Sequence, residues 1–254
     1  MNKIDLNRVW DDARAMGAAN KDLLAAIAGM FVLLPSVVGN MLIKAPTAAT
    51  KDMPQAEAYQ RLVQFYSDNW AVFVVLGLAV SFAVLTMLVL LLRPERLTVG
   101  ESLKAAIVLL PGYFVASMLQ GLGLGLGILL FILPGLYIFA RLSLIAPVAA
   151  AEQCANPFEQ LRRSFVLTRG NGWRVFMMLV ILYVTAEIIQ IVATTLTGLA
   201  GELLLPKDIA NLLNSIVAGL VAAGLAAFLA LLTAAIYRAT TAPAPTPWLP
   251  GSGG

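Results

Sequence analysis

The chain has no histidine and a single cysteine, Cys154, among its 254 residues. Without histidine it lacks the side chain that changes charge near neutral pH at its ordinary pKa. Ser-His-Asp, Cys-His and HExxH chemistries are therefore excluded. One cysteine closes no internal disulfide, and no Cys/His spacing for a zinc site exists. Charge is scarce as well, at 12% of residues, about half the roughly 25% of a soluble domain. The net charge of +3 is small, and no basic run is interleaved with aromatics in an aqueous segment. Nucleic-acid binding has nothing to rest on. We expect no enzyme activity, no cofactor and no metal, and assign no catalytic residue.

What the chain has in quantity is apolar surface: 60% of its residues are hydrophobic and the mean hydropathy is +0.85. Between Ala105 and Ala151 the only charged side chain is Arg141. A bilayer core takes roughly 20 apolar residues as helix, so this run holds two crossings. Apolar windows predict six spans: Leu23–Ile43, Trp70–Leu92, Ala105 to a glycine-rich turn at Gly121–Gly127, Ile128–Ala151, Trp173–Thr195 and Leu212–Tyr237. Lipid leaves only helices or closed barrels as spanning structures, and these runs lack the alternation of a barrel. The expected fold is all-α, a polytopic membrane protein.

Thirteen of the seventeen Lys and Arg residues fall on one side of that topology, among them Arg93, Arg96, Lys104, Arg162, Arg163, Arg169, Arg174 and Arg238. Lys44, Lys51, Arg61 and Lys207 fall on the other. The positive-inside rule then makes both termini cytoplasmic. Residues 1–22 are too polar for a cleaved signal. Leu6, Val9, Trp10, Ala13 and Met16 recur at helical spacing there, which predicts an amphipathic surface helix. Pro54 sits at a helix start, and Tyr59, Leu62, Val63 and Tyr66 predict an interfacial helix leading into the second span. Residues 241–254 are rich in Pro, Gly and Thr, which predicts a disordered tail; its Gly-Ser-Gly-Gly ending has the composition of an appended linker.

The segments entering spans three and five resemble each other. Glu101-Ser-Leu-Lys-Ala-Ala-Ile-Val-Leu109 lies over Glu159-Gln-Leu-Arg-Arg-Ser-Phe-Val-Leu167, and Gly112 meets Gly170 in register. With the amphipathic start before span one, this predicts three helical hairpins, each introduced by a short cytoplasmic surface helix. In each aligned segment an acidic residue lies near the helix start, where the dipole favours it.

Several residues stand out, each with two readings. Arg141 is about 15 Å from the cytoplasmic end of its span at roughly 1.5 Å per residue; it contacts a ligand or ion pair, or it snorkels to the headgroups. Glu187 and Gln190 lie on neighbouring turns of span five, as a protonatable transport site or as a hydrogen-bonded link between helices. Pro35, Pro111, Pro134 and Pro147 mark kinks, either structural or lining a cleft. Gly123 and its alternating neighbours form a tight turn or a close helix contact. Gly219 and Ala223 belong to a small-residue face on span six that admits a close helix, from this chain or from a second subunit. Arg162, Arg163 and Arg169, with Trp173 as aromatic anchor, place charge beside anionic headgroups or simply set topology.

The stretch Leu133-Pro-Gly-Leu-Tyr-Ile-Phe-Ala-Arg-Leu-Ser-Leu-Ile-Ala-Pro147, then Glu152, then Phe158-Glu-Gln-Leu-Arg-Arg-Ser-Phe-Val-Leu-Thr-Arg-Gly170 and Trp173 resembles the YciC-like group. It is similar also to the membrane domain attached to some glycerophosphoryl diester phosphodiesterases. The resemblance implies a bacterial inner-membrane protein with an all-helical fold. It transfers no activity, because the chain has no soluble phosphodiesterase domain and no histidine. Pro134, Gly135, Arg141, Pro147, Glu152, Arg163, Ser164, Gly170 and Trp173 are the motif positions expected to carry structure or function. Three functions fit: a non-enzymatic membrane protein engaging phospholipid or an amphipathic ligand, a small proton-coupled transporter using Glu187, or an accessory subunit packed through Gly219 and Ala223.

Overall fold

The computed structural model describes residues 4–43, 54–93, 97–130 and 132–241. Lys44, Lys51, Arg96 and the expected tail beyond Thr241 lie outside them. The described chain is helical throughout, and six helices are long and apolar enough to cross a membrane. This is a multi-pass membrane protein.

The first rod joins α1 (Leu6–Ala28) to α2 (Leu34–Leu42) through a π-helical turn at Gly29–Leu33. Asp5 caps α1, its side chain accepting from the backbone N–H of Asn7 and Arg8. Val9, Ala13 and Met16 form its buried stripe, as the periodicity predicts. At Asn20 the backbone leaves the helical region (φ −125, ψ 16) and the side-chain amide donates to the Met16 carbonyl at 2.9 Å. A side chain inserted into the ladder kinks a helix, so the amphipathic start and the first span part here, close to the expected boundary. Pro35 produces no break. The π turn immediately before it absorbs the missing hydrogen bond.

The second rod, α3 (Gln55–Leu92), begins after Pro54 and runs unbroken for 38 residues. At 1.5 Å per residue it is about 57 Å long, nearly twice a hydrocarbon core of roughly 30 Å. The expected interfacial helix and the second span are thus one element, for no breaker divides them. Tyr59, Leu62, Val63, Tyr66 and Trp70 are all exposed along its outer half.

Helix α4 (Val99–Leu130) starts with a capping box: the Thr98 N–H donates to Glu101 at 2.8 Å, and the Glu101 N–H to the Thr98 hydroxyl at 3.3 Å. It continues through Pro111 and through all four glycines. The expected turn at Gly121–Gly127 is therefore not there; the helix runs on to Leu130. In lipid the helical backbone satisfies itself, so glycine need not end it. The other reading of the glycines holds at Gly127, where an added Cβ would lie 2.4 Å from Gly135 Cα. Two helices meet there backbone to backbone.

Span four is divided into α5 (Ile132–Arg141) and α6 (Ile145–Ala151). Then follow α7 (Pro157–Leu167), α8 (Gly172–Leu204) and α9 (Lys207–Thr241). Asn156 caps α7 as Thr98 caps α4, and Glu159 and Glu101 stand three residues beyond their caps. The aligned segments share that register and then diverge. Gly170, in the left-handed region (φ 79), separates α7 from α8, whereas Gly112 stays helical against the Ala155 backbone. Only the third expected surface helix is a separate element. Adjacent rods pack together along α3–α4, α4–α5 and α8–α9, while the first rod leans chiefly on α9.

Basic residues gather at one end of the bundle. Arg238 pairs with Asp12 (3.1 Å), Arg163 with Glu152 (2.9 Å), Arg93 donates to the Ala150 carbonyl (3.2 Å), and Arg174 donates to the Ile4 carbonyl. The buried core lies toward this basic end, around Ile27, Leu85, Leu88, Ala149, Leu232 and Ile236. Toward the far end the helices present apolar side chains outward, Leu129, Leu203 and Leu204 among them.

Candidate functional site

The break in span four follows from Pro147. Proline has no N–H for the carbonyl four residues back, and its ring crowds that carbonyl; here that residue is Ser143. Residues Leu142–Leu144 accordingly form turns. Unpaired backbone groups in a buried segment are costly, and α7 supplies partners for two of them. Ser164 Oγ accepts from the Leu144 N–H (3.1 Å) and donates to the Arg141 carbonyl (3.0 Å). Thr168 Oγ1 also lies 3.0 Å from that carbonyl and 2.8 Å from the Ser164 carbonyl, so its one proton is shared. Both hydroxyl residues are fully buried.

Arg141 does not snorkel. It is 8% exposed and lies across the inner face of α7. Its Nε donates to Thr168 Oγ1 (2.9 Å), Nη1 to the Tyr137 hydroxyl (3.2 Å) and Nη2 to the Phe165 carbonyl. The guanidinium sits 4.1 Å from the Phe165 ring centroid, a cation–π distance. No carboxylate reaches it among the described residues. Gly172 makes room, since a Cβ there would lie 2.6 Å from Arg141 Cδ. Arg141 thus fastens α5 to α7.

Glu152, at the end of span four, takes a two-oxygen contact from Arg163 Nε (2.9 and 3.1 Å) and a hydrogen bond from the Tyr237 hydroxyl (3.1 Å). It ties α6, α7 and α9 together. Arg162 is exposed and bonds Glu159 (2.7 Å). That hydrogen bond holds the Glu159 carboxyl below the usual range and raises Arg162 in turn. Of the three arginines expected at headgroups, Arg162 and Arg163 thus already hold a carboxylate, and Arg169 is exposed with no ion pair among the described residues. Trp173 is half-exposed and stacks on Phe176 (4.9 Å, 7° between planes). Sequence reading missed Thr168, Phe165 and Tyr237, whose roles arise from contacts between segments, and Tyr137, which stands one turn before Arg141 on α5.

Glu187 is exposed on the outside of α8, with no hydrogen bond or ion pair among the described residues, and Gln190 is partly covered. Fifteen residues of helix separate Glu187 from Gly172, about 22 Å, so Glu187 and Arg141 do not share a site. Pro111 and Pro134 are accommodated within α4 and α5. Gly219 packs against Leu33 and Val37, with an added Cβ 2.9 Å from Leu33 Cδ1, and Ala223 is buried. At Gly219 the close neighbour is the chain's own first rod.

Among the described residues two concavities stand out. An apolar groove of about 470 Å³ lies between α8 and α9, running from Met178 to Ile189 on one wall and from Leu232 to Val221 on the other. Trp10 of α1 closes its basic end, 5.5 Å from the Phe228 ring. No charged side chain lines it. The second, about 260 Å³, lies at the break in span four and opens past Gly121 and Tyr183. Among the described residues no group of three or more His, Cys, Asp or Glu side chains stands ready for a metal. Comparison with family models, with curated proteins and with solved structures finds no match.

Proposed function

We propose that this chain is a non-enzymatic protein of a bacterial inner membrane, with both termini cytoplasmic, that holds a phospholipid against α8 and α9. The observation that carries the reading is the apolar groove beneath Trp10. Each wall covers eleven residues of rise between its end residues, about 16 Å, which is half of a roughly 30 Å hydrocarbon core. The groove thus has the depth of one leaflet, and its Trp10 end lies where the bundle is basic. An acyl chain fits its apolar walls, and Trp10 has the amphipathic ring that settles at headgroup level. Arg14 stands one turn from Trp10 on the same helix face, exposed and without an ion pair among the described residues, and supplies the phosphate contact. The basic end and the positive-inside rule support the cytoplasmic orientation.

Gly224 lines the groove, and a Cβ there meets nothing within 4 Å. Gly224→Trp fills the groove without colliding with the backbone. Native mass spectrometry of protein taken from nanodiscs of mixed phosphatidylethanolamine and phosphatidylglycerol should show retained phospholipid on the parent chain. Gly224→Trp should lose it with unchanged melting, and Arg14→Gln should lose the preference for the anionic lipid. Equal retention by the parent and Gly224→Trp defeats the reading.

A further inference from the structure

The second cavity shares no lining residue with the lipid groove, and its chemistry is different. Its walls include Tyr113, Ser117 and Gln120 of α4, Ser143 at the break, Tyr183 of α8 and Thr233 of α9. The three hydroxyls of Ser117, Ser143 and Thr233 turn back to their own helices, to the carbonyls of Tyr113 (2.8 Å), Ala140 (2.8 Å) and Leu229 (2.7 Å). Gln120 gives one of its two amide N–H groups to the Phe139 carbonyl at 3.3 Å. Four polar groups are left over. Among the described residues the Tyr113 and Tyr183 hydroxyls and the Gln120 side-chain oxygen have no hydrogen-bond partner. The Ser143 carbonyl has none either, because Pro147 has no N–H to offer it.

A polar group withdrawn from water without a partner costs on the order of 1–3 kcal/mol. The space is half-open, with Gly121 and Tyr183 exposed at its mouth, so in a bundle that lies in lipid the four unpartnered groups around it call for an occupant. That occupant has to donate as well as accept, since the Gln120 oxygen and the Ser143 carbonyl only accept. It has to be uncharged, because no Asp, Glu, Lys or Arg side chain lines the space. A volume of about 260 Å³ far exceeds the roughly 10–15 Å³ that one water needs and admits a molecule of several heavy atoms. We infer that the cavity behind the broken fourth span binds a small neutral solute of the polyol or amide class, held by Tyr113, Tyr183, Gln120 and the Ser143 carbonyl.

Gly121 lines the same cavity, and an added Cβ meets nothing within 4 Å, so Gly121→Leu occupies the space without a clash. Tyr113→Phe removes one hydroxyl and keeps the ring. The test is ligand-observed saturation-transfer NMR on the full chain in nanodiscs, with glycerol and urea as probes and acetate and methylammonium as charged controls. At least one neutral probe should give a signal on the parent chain, reduced fivefold or more in both variants, while the charged controls give none. Three outcomes overturn the inference. The neutral probes give no signal beyond that of Gly121→Leu, so that water alone fills the space; or the charged controls bind equally; or Tyr113→Phe leaves the signal intact. Should Gly121→Leu lose its fold, Tyr113→Phe and Tyr183→Phe decide the matter, and unchanged signal in both defeats the inference. The lipid readout of Gly224→Trp is independent of every one of these results.

Discussion

The seam between α7 and the broken span makes a prediction about coupling. Ser164→Ala leaves the buried Leu144 N–H without its acceptor, while the Arg141 carbonyl falls back on Thr168, which already lies 3.0 Å away. One orphaned buried donor costs about 1–3 kcal/mol. Thr168→Val removes the acceptor of Arg141 Nε, and a hydrogen bond to a charged group is worth about 1.5–3 kcal/mol. In the double variant the Arg141 carbonyl loses both donors at once. The pair should therefore cost more than the sum of the singles, by about 1 kcal/mol or more. At roughly 2–4 °C of melting temperature per kcal/mol for a chain of this size, each single change is readable in detergent melting. Hydrogen exchange at the Leu144 amide reports the local opening in Ser164→Ala alone. A double variant additive to within about 0.5 kcal/mol would show that the two hydroxyls do not share the carbonyl, and the account of the break would fail.

Other expectations are more direct. Gly127→Leu drives a side chain into Gly135 Cα, 2.4 Å from the position of the new Cβ, and should lower the melting temperature by several degrees; Gly125→Ala, whose Cβ meets nothing within 4 Å, should not, and equal effects would refute the backbone contact. Glu187→Gln should leave folding and melting intact, since Glu187 touches no other helix; a large loss of stability would place it inside the bundle. Because the Glu159 carboxyl is held below its ordinary value of 4.5, its contribution is present above that value and is lost as pH falls through the lowered one. Glu159→Gln should then flatten that acid limb of the melting profile slightly, as befits an exposed pair, and an unchanged limb would count against the Arg162 contact.

The parts of this molecule legible in its sequence are those that lipid dictates. A span must be apolar over its whole length, so hydropathy locates six of them, and Pro54 marks a helix start through local geometry. Continuity is harder to read. Four alternating glycines look like a turn by the habits of soluble chains, yet a helix in lipid carries them because no water competes for its backbone. Pro147 announces a disturbance in span four, and the structure places the break three residues ahead of it. What no local pattern discloses is the repair. Ser164 and Thr168 lie 20 or more residues downstream of the groups they satisfy, and the depth of Arg141 was readable while its partners on α7 were not. The cavity tyrosines come from α4 and α8, two helices whose facing sides only the assembled bundle defines.

The length of α3 has a mechanical consequence. Its continuous buried run, Ala83–Val89, lies near one end of a rod that begins at Gln55, and Asn69 is buried farther out. Between them Leu76 packs against Gly39. The arm from Gln55 to Asn69 is about 21 Å at 1.5 Å per residue, against about 30 Å of held length between Asn69 and Val89. A push on the aromatic tip around Tyr59 and Tyr66 is thus carried along one stiff helix to its root. Whatever touches that tip on the far side of the bilayer acts on Val84, which is also a wall of the cavity at the break in span four.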